Sequence, residues 1–191
     1  MKKYVLPILL FCLIAYSSQA QQWTPGIKGG LNIADVSGLN GDNRLSGHVG
    51  LFFHGRINHQ WSIQPEILYS GQGQRYWAGR DEYTLALSYI QIPLMFQFHP
   101  VRKFYLEFGP QIGFLLSANA KNDNDKTEVD QYFKKVDAAI AFGAGIQVTR
   151  MLGFYARYNA GIADISKDNN PLIYRDNYNR VGEIGIAIKL K

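Results

Sequence analysis

Three groups of residues in this sequence are of types that could do chemistry. Ser46 and His48 could form a nucleophile and its base. No carboxylate is spaced to orient the imidazole, so a solvated histidine is the simpler reading. His54, His59 and His99 sit inside or at the opposite end. Asp123, Asp125, Glu128 and Asp130 suggest calcium ligands, but the run lacks the glycine and spacing of a calcium loop. Lys121, Lys126, Lys134 and Lys135 interleave with them, as in a solvated mixed-charge loop. The third group is Lys28, Arg56, Glu66, Glu107, Arg157, Glu183 and Lys189, four cations against three carboxylates. Confined together, such charges must pair or stay hydrated; they read as a structural ion-pair network, with a small-ion or proton path as the alternative. No catalytic, cofactor or metal site is expected.

The third group is defined by the segments that carry it. Phe104 to Ala118 alternates Phe104, Leu106, Phe108, Pro110, Ile112, Phe114 and Leu116 with Tyr105, Glu107, Gly109, Gln111, Gly113, Leu115 and Ser117. A period of two marks a strand with two unlike faces. The same alternation recurs over 23–34, 47–57, 61–71, 88–98, 137–149, 152–164 and 181–191. Eight strands of roughly ten residues are predicted, the length a tilted strand needs to cross a bilayer. The connections 58–60, 99–103 and 149–151 are short, whereas 35–46, 72–87, 119–136 and 165–180 are long and hydrophilic. Such sorting suits a barrel with tight turns at one end and loops at the other.

The chain has 191 residues, enough for one domain, and 47% of them are hydrophobic, which does not by itself mark a membrane protein. Residues 1–20 read as a signal peptide: Lys2 and Lys3, an apolar run from Val5 to Tyr16, then Ser17-Ser18-Gln19-Ala20. Residues 21–191 form the barrel domain. The one cysteine, Cys12, lies in the signal, leaving the mature chain without disulfide or thiol chemistry. Without Lys2 and Lys3 the formal charge falls from +5 to +3, too small an excess to argue for nucleic acid.

The charges decide which face meets which solvent. None of the eight apolar faces carries Lys, Arg, Asp or Glu; all seven charges of the third group lie on the opposite faces. A soluble barrel would then show water a surface of Gly, Ala, Gln and Ser, a poor solubilising coat. The inverted arrangement, with Ile, Leu and Phe toward lipid and small or polar residues within, fits better. Trp23, Trp61, Phe98, Phe104 and Phe154 share the outward parity and the short-turn end, which predicts an aromatic girdle at one membrane interface. Pro65, Pro93 and Pro110 lie inside central strands, where each removes a ladder donor. A bulge or broken ladder is expected where Pro93 nears Pro110.

GIKGGLNIADVSG at 26–38, IQPEILYSGQG at 63–73, YIQIPLMFQF at 89–98, FGPQIGFLLSA at 108–118 and RYNAGIADIS at 157–166 resemble the PorT-like, or porin-family, outer-membrane β-barrels. The likeness covers essentially the whole mature chain. It implies an outer-membrane barrel of a Gram-negative bacterium and supplies no catalytic residues. The family's namesake is linked to protein secretion. Leu190-Lys191 departs from the terminal aromatic usual in such barrels.

The expectation is therefore an all-β, eight-stranded, antiparallel up-and-down transmembrane β-barrel in the outer membrane, a monomer with both termini periplasmic. Its role is read as structural or interaction-based, with outer-membrane lipid, lipopolysaccharide and a protein held by the long loops as partners. A narrow porin-like channel and an assembly component of a secretion system are the alternatives.

Overall fold

The strand alternation closes on itself. In the computed structural model, residues 23–37, 41–78, 81–122, 126–167 and 177–190 are described; the signal peptide, Asp123 and Asp125 lie outside them. The strands are β1 (Trp23–Val36), β2 (Asp42–Arg56), β3 (Trp61–Ala78), β4 (Asp81–Val101), β5 (Phe104–Lys121), β6 (Lys126–Glu128), β7 (Val136–Gln147), β8 (Leu152–Gly161) and β9 (Asn179–Lys189). Neighbours pair antiparallel in chain order around the ring, β7 pairing with β5, and β1 meets β9 to complete it. Eight strands form the wall. β6 only extends the edge of β5 at the loop end.

Along β5, Phe104, Leu106, Phe108, Ile112 and Phe114 are exposed, while Tyr105, Glu107, Gly109 and Gln111 are buried. The same inversion runs around the ring. Lys28, Gln64, Glu66, Gln91, Gln97, Arg157 and Glu183 are buried, and Ile27, Leu51, Ile67, Ile92, Phe142 and Ile184 are exposed. A water-soluble protein would reverse this distribution.

The strands are longer than the sequence suggests. β3, β4 and β5 run 18, 21 and 18 residues, well past the roughly ten that cross a bilayer. Most of 72–87, expected to be a loop, is a continuation of the β3–β4 hairpin, paired from Gln72↔Leu87 to Ala78↔Asp81. The segments 35–46 and 119–136 are likewise part strand. The end of the apolar stripe is the end of the lipid-facing wall. It does not end the hydrogen-bond ladder, because Gln72 and Gln74 keep the inward parity while Leu85 and Leu87 face them from β4.

Each central proline interrupts one ladder. The β2–β3 pairing stops at Phe52↔Glu66 and resumes at Gly55↔Ile63, leaving out Pro65. β3–β4 stops at Pro65↔Leu94 and resumes at Leu68↔Gln91, leaving out Pro93. β4–β5 stops at Pro93↔Gln111 and resumes at Phe96↔Phe108, leaving out Pro110. Register is the same on both sides of every gap, so these are broken ladders without bulges. The bulges fall elsewhere, between Asn43 and His48, Ser88 and Tyr89, and Phe98 and Val101.

Candidate functional site

Inward parity brings four of the seven charged residues together across the bore. Glu66 on β3 is the hub: Arg157 on β8 donates two parallel hydrogen bonds to its carboxylate, each 2.9 Å. Lys28 on β1 donates to both oxygens at 3.1 and 3.2 Å, and Gln64 adds a bond of 2.9 Å. The Arg157 Nε reaches on to Glu107 on β5 at 2.8 Å, where Gln97 also donates, at 3.1 Å. Lys28 Nζ lies 3.9 Å from the centroid of the Tyr155 ring, a cation–π contact. Strands β1, β3, β5 and β8 are thus tied across the lumen by buried groups, and the guanidinium fork supplies the planar match that a lysine could not.

Glu183 is buried at the edge of this cluster, accepting a bond from Asn159 at 2.7 Å. Arg56 and Lys189 are not in the network. Arg56 is exposed and Lys189 half-buried at the short-turn mouth, in a recess with Arg150. That corrects the sequence reading of a single set with one excess positive charge. The interior keeps Lys28 and Arg157 against Glu66, Glu107 and Glu183, and the two remaining cations move to the rim. Asp137, also buried, belongs to the interior too and bonds Asn179 at 2.8 Å. Its odd-numbered position on β7 gave it inward parity, so the sequence carried the signal.

Ser46 and His48 do not form a hydrolytic pair. Ser46 donates to the carbonyl of Gly71 at 2.7 Å. His48 is buried in the lumen, not solvated at the rim, with one ring nitrogen against Asn32 Oδ1 and the other against the Tyr155 hydroxyl. Asn32 in turn donates to Ser70 and Gly71 at 2.9 and 2.8 Å. At the opposite end His54 contacts Gln64 and His99 contacts Ser62, while His59 is exposed in its turn. Asp130 accepts a hydrogen bond from the Ala118 amide at the loop end. Among the described residues no group of three His, Cys, Asp or Glu is placed to hold a metal.

Two further layers narrow the bore. Between the ionic cluster and the short-turn mouth a gap of about 10 Å3 remains among Lys28, Phe52, Gln97, Tyr105 and Lys189, about the space of one water. At the loop end, Val36, Leu85, Leu87, Tyr89 and Ala118 of the wall pack with Val129, Phe133 and Ile165 from the connections. Sequence reading missed this apolar plug, because Phe133 and Ile165 stand in hydrophilic segments without periodicity. The five outward aromatics lie at the short-turn end. Trp61 pairs in register with Phe98, the two rings tilted by 43° with centroids 5.0 Å apart; Trp23 pairs with Gly55, Phe104 with Val101, and Phe154 with Ile146.

Comparison with known proteins agrees with this architecture. The family profile described as "Outer membrane protein beta-barrel domain" matches residues 19–167. The attachment invasion locus protein Ail of Yersinia pestis superposes with a TM-score of 0.53 at 11% identity, covering 88% of this chain and 99% of that one. Neisserial surface protein A (NspA) gives 0.54 at 14% identity, covering 91% and 99%. These identities carry the fold alone. No curated protein matches the chain.

Proposed function

This chain belongs to the outer membrane protein β-barrel domain family, and on that premise we propose that it is a sealed barrel with a structural or interaction role. The supporting observation is the network of Lys28, Glu66, Glu107 and Arg157, which spans the bore from four strands. A conducting pore of this width would have to break charge-assisted hydrogen bonds in a low-dielectric interior, which is costly. Reconstituted in planar bilayers, the protein should be electrically silent. Steady conductance steps from pure protein would overturn the sealed reading in favour of the narrow porin-like one.

In this reading residues 1–20 direct export, the termini and short turns face the periplasm, and the loop end faces outward, toward lipopolysaccharide. The tall β3–β4 hairpin, with Trp77 exposed and Tyr76 and Tyr83 stacked at 5.7 Å, is the element suited to hold a protein partner. Shortening it above Gln74 and Leu85 should leave the barrel folded and abolish co-purification of any such partner from outer membranes. A secretion-assembly role, implied by the PorT-like resemblance, predicts a stable complex in that experiment; isolation of the barrel alone counts against it.

A further inference from the structure

The short-turn end carries its charge in one sign. Its turns and strand ends hold Arg56, His59, Arg102, Lys103, Arg150 and Lys189, and residues 54–62, 98–104, 147–154 and 184–190 contain no Asp or Glu. Three of these cations, Arg56, Arg150 and Lys189, open on one recess of about 630 Å3. Its other walls include Trp23, Met151 and Leu190, which are 44%, 41% and 42% exposed. Among the described residues, no carboxylate lines the recess. The cations therefore stand at the rim of the bore beside exposed apolar side chains, and Glu66 and Glu107 are held by the network deeper in the barrel.

That combination selects its ligand. Guanidinium groups present paired donors to phosphate oxygens, and an ammonium adds a point charge. A soluble anion would use the cations and leave the apolar wall idle. A phospholipid uses both, with its phosphate at Arg56, Arg150 and Lys189 and its glycerol and first methylenes along Trp23, Met151 and Leu190. We propose that this recess binds the phosphate of one anionic phospholipid from the leaflet that meets the short turns. The proposal rests on the barrel spanning the membrane; heat-modifiable gel migration tests that premise separately.

The test uses the full-length barrel, purified with equal amounts of phosphatidylglycerol and phosphatidylcholine and examined by native mass spectrometry. The expected result is one retained phosphatidylglycerol, favoured by about tenfold, the scale of one net charge-assisted hydrogen bond. Arg56→Gln/Arg150→Gln/Lys189→Gln should abolish the preference, and Arg150→Gln alone, an exposed turn substitution that leaves the wall intact, should weaken it. Arg102→Gln/Lys103→Gln, in a turn outside the recess, should preserve it. Equal retention of the two lipids by the unmodified protein would overturn the proposal. So would an equal loss in the Arg102/Lys103 variant, which would assign the effect to general surface charge. Retention of inorganic phosphate with no lipid preference would overturn the lipid assignment in favour of a free anion.

Discussion

Glu66 accepts from three side chains on three strands, so its charge is the point on which the interior balances. Glu66→Gln keeps the shape and leaves Arg157 and Lys28 with too few negative partners. Removing one partner of a buried pair costs on the order of 3–5 kcal/mol, so the urea midpoint of the reconstituted variant should fall accordingly. Replacing the cluster by apolar residues of similar volume should cost less, since the desolvation of every charge is then relieved. Asp164 lies at the loop end, outside the membrane-spanning strands, and is half-buried. Burial, the largest single influence, pushes its carboxyl up. The Asn177 amide, the Lys134 ammonium at 2.6 Å and the Ser166 amide outweigh that and hold it below its ordinary value. A depressed folded value means that the contact stabilises the loops above the unfolded carboxylate range, near pH 4, and is lost as pH falls through the folded value. Loop proteolysis should accelerate below about pH 4, and Asp164→Asn should remove that step. An unchanged acid profile in Asp164→Asn would assign the step to another carboxylate.

At the scale of elements, glycines and prolines explain how a crowded interior is compatible with a closed wall. Large inward rings lie over inward glycines of the neighbouring strand: a Cβ on Gly26 would come within 2.1 Å of the Phe52 ring, and one on Gly145 within 2.2 Å of Tyr105. In the β4–β5 proline gap a glycine instead admits close approach of the neighbouring backbone. Beside Pro110, a Cβ on Gly109 would lie 1.9 Å from the Leu94 carbonyl oxygen, a backbone atom that cannot swing aside. Gly109→Ala must therefore push β4 and β5 apart at a ladder already interrupted by Pro110. A loss of about 1–3 kcal/mol is expected from such overpacking, read as a lower yield of heat-modifiable barrel on refolding. Refolding equal to the unmodified protein would show that the gap is looser than this approach implies. The proline interruptions themselves were legible in the sequence, since a missing donor inside a central strand has no edge to occupy. Their form, a two-pair gap with register retained, was not, because it depends on both neighbours.

For the whole molecule, closure separates charge by depth. The interior ties two cations to Glu66 and Glu107, the short-turn rim holds cations with no carboxylate beside them in their recess among the described residues, and the loop end is packed with apolar side chains. In the sealed-barrel reading proposed above, the ionic layer and the apolar cluster each close the bore. Phe133→Ala with Ile165→Ala should loosen the loop end, seen as faster proteolysis of 122–136, while leaving planar bilayers silent. Conductance in that variant would mean that the plug alone seals the barrel.

The sequence by itself determined the number of wall strands, the parity of each face and the inversion of apolar and polar surfaces. These follow from a period of two and from the exclusion of charge from one face, both of which are local properties of the chain. Asp137 and the inward tyrosines were within reach of the same rule. Only the tertiary structure decided which charges meet. Lys28, Glu66, Glu107 and Arg157 come from positions 28 to 157, and their heights in the bore depend on strand stagger, which is fixed only when β1 closes on β9. The same closure leaves Arg56 and Lys189 at the rim and lets Phe133 and Ile165 fill the top. It also lets β3 and β4 continue past the apolar stripe, because a ladder ends where its partner strand ends and not where the lipid does.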